Sequence, residues 1–353
     1  AASFLIIPPV MAIWLAILFV YSRERRQDTI ELRMFLVAFT FLSTMLMNLA
    51  VVYAFNVELT IVRREVREGF YSYLAYALAV MWYQIPMMFI ASLTVVLPIW
   101  IIGDLPWSRF ALGWLIMSVV LLVYEACSQM LSLLRSPLLG VAVFINFWFV
   151  DFVFCGMFLR RTDIIWPFRL FSWLLPSQWG LRAFVWSVFI DVPAYDGATV
   201  CNANSTSSAC LADSPPEGGF ICTSAPGVDC FGVTGTQILT SLGHRWASFT
   251  SDETWPTDLA VLCGMTAFYK LCHTLGLYAL DHASGSALSP LTAAERAKLP
   301  VPVAPARPAP DPDVVSAAPD LDVVSAAPDP DVASATQRQS RTSVGQRLSC
   351  SDL

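Results

Sequence analysis

The chain has 353 residues, of which 56% are hydrophobic and only 14% charged, against roughly 25% charged in ordinary soluble domains. Six aspartates between Asp311 and Asp331 belong to a polar tail, so the formal charge of −6 says little about the rest. An acidic balance argues against a nucleic-acid partner, and the long uncharged runs exclude an ordinary soluble globule.

Those runs predict an all-α membrane protein with six transmembrane helices in a domain over residues 1–288. A bilayer core needs about 20 consecutive apolar residues per helix. The first span, 4–21, is short and carries Pro8 and Pro9; the second is 32–56. The third, 76–102, contains Pro86 and Pro98, which suggest kinks inside a bundle. The fourth and fifth cover 110–134 and 138–159, and the last covers 259–280. Residues 160–192 are aromatic but interrupted by Arg169, Pro176 and Arg182, so they read as interfacial or re-entrant helices. They open an outer loop over 160–256. The chain starts Ala1-Ala2-Ser3 without a leader pattern, and reads as the C-terminal piece of a longer one.

Lys/Arg counts do not set the orientation. Arg23, Arg25, Arg26 and Arg33 follow the first span, while Arg63, Arg64 and Arg67 follow the second, on the opposite face. The loop before the last span is more decisive. It holds Cys201, Cys210, Cys222 and Cys230 and the sequon Asn204-Ser205-Thr206, which fit disulfides and a glycan in an oxidising compartment. Four cysteines allow three pairings. The loop is thereby placed outside and both termini in the cytoplasm, in the plasma membrane or an endomembrane. Cys127, Cys155, Cys263 and Cys272 read as small residues of the spans.

Two acids fall inside spans, where a charge is costly and faces an interior or a water-filled path. Asp151 lies on a helix three residues from Trp148 and beside Phe152. It reads as a cavity carboxylate that favours cationic amphiphiles. Glu125 reads as an interfacial partner of Arg135. Residues 289–353 change composition: DPDVVSAAP, DLDVVSAAP and DPDVASATQ form a nine-residue repeat that predicts a disordered, solvated tail. Arginines among serines there offer kinase sites, and Ser351-Asp352-Leu353 resembles a ligand for carboxylate capture.

The stretch Arg63-Arg64-Glu65-Val66-Arg67-Glu68-Gly69-Phe70-Tyr71, followed by Tyr76 and Pro86, is a dense charge cluster between two apolar helices. It resembles the RE-x-x-x-G-x-Y…Y…P signature of the G subfamily of ABC transporters, the White and multidrug-resistance type. Gly103-Asp104-Leu105-Pro106, Phe154-Cys155-Gly156 and Trp173 through Trp179 are similar to later segments of the same family, in the same order. Trp179 stands where that family has Tyr, and Ser187-Val188-Phe189 where it has Asn-Glu-Phe. The resemblance spans residues 4 to 282. It implies a cytoplasmic coupling helix at Arg63, Arg64, Glu65, Arg67, Glu68, Gly69 and Tyr71. It further implies a substrate cavity at Ser43, Leu46, Leu49, Trp148, Asp151 and Phe152, and an outer plug of Met157 and Phe158. ATP binding on two nucleotide-binding domains would switch a cavity between two halves from inward to outward facing.

No G-x-x-x-x-G-K-[ST] occurs in the chain, so it carries no phosphate cradle, and ATP and Mg are expected on a separate nucleotide-binding domain. The implied function is the membrane half of an exporter of lipids, sterols or hydrophobic xenobiotics. Its implied partners are that domain, a second identical or different half-transporter, membrane lipids and a hydrophobic or amphipathic substrate. A non-transporting scaffold or degenerate transporter whose tail recruits partners is one alternative. A secondary transporter or channel is another, but no internal repeat or acid ring supports it. The scattered His244, His273 and His282 suggest neither a catalytic nor a metal site.

Overall fold

The structure is a computed structural model. It describes residues 2–158, 163–200, 220–223, 229–246 and 248–285, without the side chains of 2–7, 44–46, Val200 and 281–285. The chain divides into a first unit, Ala1–Pro290, and a second, Leu291–Leu353. The second unit, and with it the repeat tail and its terminal motifs, lies outside the described residues, as do Cys201, Cys210 and Asn204.

The described part is all-α apart from one small hairpin. Helix α1 covers Ala2–Leu18, α2 Ile30–Met45 and α3 Leu49–Arg67. Helix α4 covers Tyr73–Ile102, α5 Phe110–Leu131 and α6 Pro137–Val153. After them come α7 (Phe168–Ser172), α8 (Pro176–Phe189), α9 (Gly235–Arg245) and α10 (Trp255–Gly285). Strands β1 (Ala198–Val200) and β2 (Phe220–Cys222) pair antiparallel, with Thr199 opposite Ile221. Among the described residues, three segments are long and apolar enough to cross a membrane: Tyr73–Ile102, Trp107–Leu131 and Trp255–Leu280.

Helix α5 is the axis. Its sequence is apolar over most of its surface, with only a few polar residues, which is the pattern of a helix enclosed by others. It packs against α3, α4, α6, α8 and α10. Tyr124, Glu125, Ala126, Cys127, Ser128 and Gln129 are all buried along its second half. Gly113 lets Trp100 of α4 lie directly on the backbone of α5, where a Cβ would overlap the indole. Helix α4 runs unbroken through Pro86 and Pro98 for 30 residues.

The apolar run read as one second span is two helices. A 3₁₀ turn at Leu46–Asn48 separates α2 from α3. Ser128 of α5 donates its hydroxyl to the Asn48 carbonyl at 3.1 Å. The same hydroxyl lies nearer the Tyr124 carbonyl of its own helix, at 2.8 Å. The charged stretch after that run is the last part of α3 itself rather than a separate helix, because no residue there interrupts its ladder.

The first Arg-rich loop packs under the disulfide-bearing loop. Gln27 donates its amide nitrogen to the Gly232 carbonyl at 2.8 Å and accepts from the Phe231 N–H at 2.9 Å. Arg25 pairs with Asp104 at 2.9 Å, and Arg26 with Glu24 and Asp28. Arg33 is fully buried, bonded to the carbonyls of Ser22 and Gly103 and set over the Tyr195 ring. Their local partners explain why these arginines carry no topological signal. Cys222 is disulfide-bonded to Cys230, which selects one link from the three pairings left open by sequence.

Candidate functional site

The best-defined constellation is the hairpin between α3 and α4, and its geometry explains its sequence. Gly69 has φ +85°, a left-handed conformation that glycine adopts without steric cost. The Gly69 N–H bonds to the Val66 carbonyl at 3.0 Å, and the Phe70 N–H to the Glu65 carbonyl at 3.2 Å. These two bonds are the Schellman pattern, which satisfies carbonyls that the helix end would otherwise leave open. Ser72 then caps α4, accepting from the Ala75 N–H at 3.2 Å. The turn is therefore specified at both ends.

Two tyrosines brace it. Tyr71 donates its hydroxyl to Glu65 at 2.5 Å, and Tyr76 donates to Glu58 at 3.1 Å. Their rings stack 6.3 Å apart. Burial, reinforced by the Glu65 carboxylate, pushes the Tyr71 phenol up to about 12. Arg64 bonds Glu68 at 2.9 Å one helical turn on, at the solvent-exposed surface, where water and salt screen such pairs and they add little to stability. Arg63, Arg64, Arg67 and Glu68, with Thr60, line an open hollow of about 420 Å³. Higher on α3, Asn56 donates its amide to the carbonyls of Ser132 and Leu134 at 2.7 and 2.9 Å. One helix thus touches both the start of α4 and the turn after α5.

The residues expected to line a cavity fall into two groups. Trp148 is tied to α2 at the residue before Ser43: its indole N–H donates to the Leu42 carbonyl at 3.2 Å, while the Ser43 hydroxyl donates to the Thr40 carbonyl of its own helix at 3.2 Å. Trp148 and Phe152 stack at 5.5 Å, and Phe152 lies 4.7 Å from Phe158. Leu49 is half-buried against the core at the start of α3. The side chain of Leu46 lies outside the described residues. Alongside this group, Tyr53, Val57 and Ile61 of α3 and Leu138, Leu139 and Phe149 of α6 are exposed and apolar. Met157 is buried and Phe158 about half-exposed. The chain between them and α6 turns at Gly156, where φ is +91° and a Cβ would collide with Ser248.

Asp151 does not join that open face. It is fully buried, and both its oxygens are taken up by Ser177: Oδ2 accepts from the hydroxyl at 2.5 Å and Oδ1 from the N–H at 3.2 Å. The expected cavity carboxylate therefore points into the protomer, because an unbonded charge inside the bundle is far more costly than one at a helix N-terminus. Glu125 is likewise corrected. Its partner is Lys270 of α10 at 2.7 Å, not Arg135. The Lys270 ammonium also donates to Gln129 at 2.6 Å and to Gln84 at 2.9 Å, so three acceptors from two helices use its three protons. A lone lysine in an apolar span is the signal that would have revealed this partner. At the other end of α10, Asp258 is buried against Arg182 of α8, whose guanidinium lies over Trp179.

Among the described residues no cluster of His, Cys, Asp and Glu has the arrangement of a metal site. The constellations are mechanical: a braced hairpin, a half-open aromatic face, and charged ties between helices. No curated protein matches the chain. The family model of the ABC-2 type transporter membrane region matches residues 2–189, which is more than half of the chain. The matched stretch runs from α1 to the end of α8 and takes in the hairpin, the axis helix α5 and the aromatic face of α6. The chain belongs to the ABC-2 type transporter family, as a membrane component of an ABC transporter.

Proposed function

We propose that the chain is the membrane half of an ATP-driven exporter of the G subfamily, moving lipids, sterols or hydrophobic xenobiotics through a cavity shared by two such halves. The observation that carries this reading is the construction of the α3–α4 hairpin. Arg63, Arg64, Glu65, Arg67 and Glu68 present charges for docking of a nucleotide-binding domain, the site of ATP and Mg in this reading. Gly69 and Ser72 lock the turn behind them. The Tyr71–Glu65 and Tyr76–Glu58 bonds then oblige α4 to follow α3. Any push received at the charged tip is delivered to both helices and, through Asn56, to the turn between α5 and α6.

In this reading the exposed apolar face of α3 and α6 meets a second half-transporter. Ser43, Leu49, Trp148 and Phe152 line the space between them, with Met157 and Phe158 closing its outer end. The aromatic and aliphatic lining suits flat or amphipathic apolar substrates, and Asp151 is withdrawn from it. The disulfide end lies outside the cell or in an endomembrane lumen, with a glycan on Asn204 and both termini in the cytoplasm.

The test is transport of a hydrophobic fluorescent probe into inverted membrane vesicles that carry the full-length protein with its nucleotide-binding domain. Uptake should require ATP and stop with vanadate. Paired Tyr71→Phe and Tyr76→Phe changes should lower it several-fold while most of the ATP hydrolysis remains. Uptake that ignores ATP would overturn the exporter reading, and equal loss of hydrolysis and uptake would overturn the role of the hairpin.

A further inference from the structure

The N-terminus of α8 poses a chemical problem. Its cap position is Leu175, which has no side-chain acceptor, and its first residue, Pro176, has no N–H. The first backbone donor is therefore that of Ser177, deep in the protein where water does not reach. Asp151 supplies the missing acceptor from another helix, 26 residues earlier in sequence. It also accepts the Ser177 hydroxyl, and the Tyr124 hydroxyl of α5 lies 2.8 Å from that same oxygen. Three helices are joined through the Ser177 hydroxyl, which donates to Asp151 of α6 and lies within hydrogen-bond reach of Tyr124 of α5.

That carboxylate lies two residues before the end of α6 at Val153, directly ahead of Cys155, Gly156, Met157 and Phe158. We propose that Asp151, Ser177 and Tyr124 form a clasp that holds this segment against α8, and that release of the clasp frees the outer plug. Asp151 is thus a positioning residue for the outer gate rather than a substrate ligand. Gly156 makes the second hold, since its backbone lies in direct contact with Ser248. Between these two points the chain is pinned, and Cys155 is 1% exposed. The side chain of Phe158, on the open side, stays in contact with Phe152 of the cavity face. A substrate that displaces the Phe152 ring would therefore pull on a segment whose base is tied to α8 by the Asp151–Ser177 hydrogen bonds. The gating role rests on the reading of Met157 and Phe158 as the plug, but the clasp can be tested without it.

Cys155 is the natural reporter. Intact protein in vesicles is exposed to a water-soluble maleimide from the disulfide side, and modification of the Cys155 peptide is followed by mass spectrometry. Ser177→Ala and Asp151→Leu should raise its rate roughly ten-fold, the effect of losing one hydrogen bond to a carboxylate. Asp151→Asn should restore protection, because its amide oxygen can accept from the Ser177 N–H while its NH₂ donates to the hydroxyl. Formation of the Cys222–Cys230 link and a retained cooperative melting transition report correct folding. If Ser177→Ala does not fold, Tyr124→Phe, which keeps both Asp151 bonds, should give a smaller increase.

Unchanged Cys155 protection in the folded variants would overturn the clasp. So would an Asp151→Asn rate equal to that of Asp151→Leu. Probe leakage through Met157→Ala and Phe158→Ala vesicles tests the plug separately: leakage with Cys155 still protected supports the plug alone, and Cys155 release without leakage supports the clasp alone.

Discussion

At Lys270 the ammonium has three protons and three acceptors, all within 2.9 Å. Such a group is tolerated inside a bundle because its desolvation is offset by complete hydrogen bonding, and its worth emerges only when one partner is removed. Glu125 is fully buried. Lys270→Ala would leave it as an uncompensated charge, and should destabilise the protein by about 3–5 kcal/mol. Replacing both partners by apolar residues of similar size, Lys270→Met with Glu125→Leu, should recover most of that loss. Thermal unfolding in detergent distinguishes the two; a double variant as unstable as the single one would show that the charges also do something other than pair with each other. The rule that intramembrane charges seek partners was readable from sequence, yet the partner was not. Arg135 is ten residues from Glu125, and Lys270 is 145 residues away, brought close only because α10 packs along α5.

Among the elements, the α3–α4 hairpin was the most legible. Its glycine, its Ser cap and its charged tip are local features, and local hydrogen bonds use them. A Gly69→Ala change puts a Cβ into the left-handed region, at a cost of about 1–2 kcal/mol, although no neighbour lies within 4 Å. The cost should therefore be conformational and confined to the turn. Trypsin cleavage after Arg67 in intact membranes should be roughly ten-fold faster, with global melting shifted by only a few degrees. A variant that cleaves like the parent would place no strain at Gly69. The apolar run from 32 to 56 was less legible. Hydropathy sees continuous hydrophobicity there, whereas the structure breaks it at Leu46–Asn48, beside Ser128 of another helix.

At the scale of the molecule, an ion pair ties two helices together near the disulfide end. Arg109 bonds Asp191 at 2.6 Å and lies over Trp186, joining the start of α5 to the end of α8. That hydrogen bond, outweighing partial burial, holds the Asp191 carboxyl below its ordinary range. A depressed folded-state pKa means that the tie contributes fully above about pH 4, the value for an unfolded Asp, and is lost as pH falls below it. Melting temperatures of the parent and of Asp191→Asn should differ near pH 6 and converge as pH falls through the depressed folded-state pKa of Asp191. A difference that is constant with pH would exclude the ionised tie.

Composition alone determined that the chain is an all-α membrane protein, because the bilayer requires long apolar helices and their residues are adjacent in sequence. Local spacing also determined the hairpin, since its caps lie within a few residues of what they cap. Tertiary structure alone decided where the buried acids go. A carboxylate at mid-span announces a cost without naming what meets it, and the answers, Ser177 for Asp151 and Lys270 for Glu125, depend on which helices pack together. The same holds for Cys222 and Cys230, whose link was one of three pairings until the fold selected it. Short-range bonding is written in neighbouring residues, while the satisfaction of buried charge is settled only when distant helices meet.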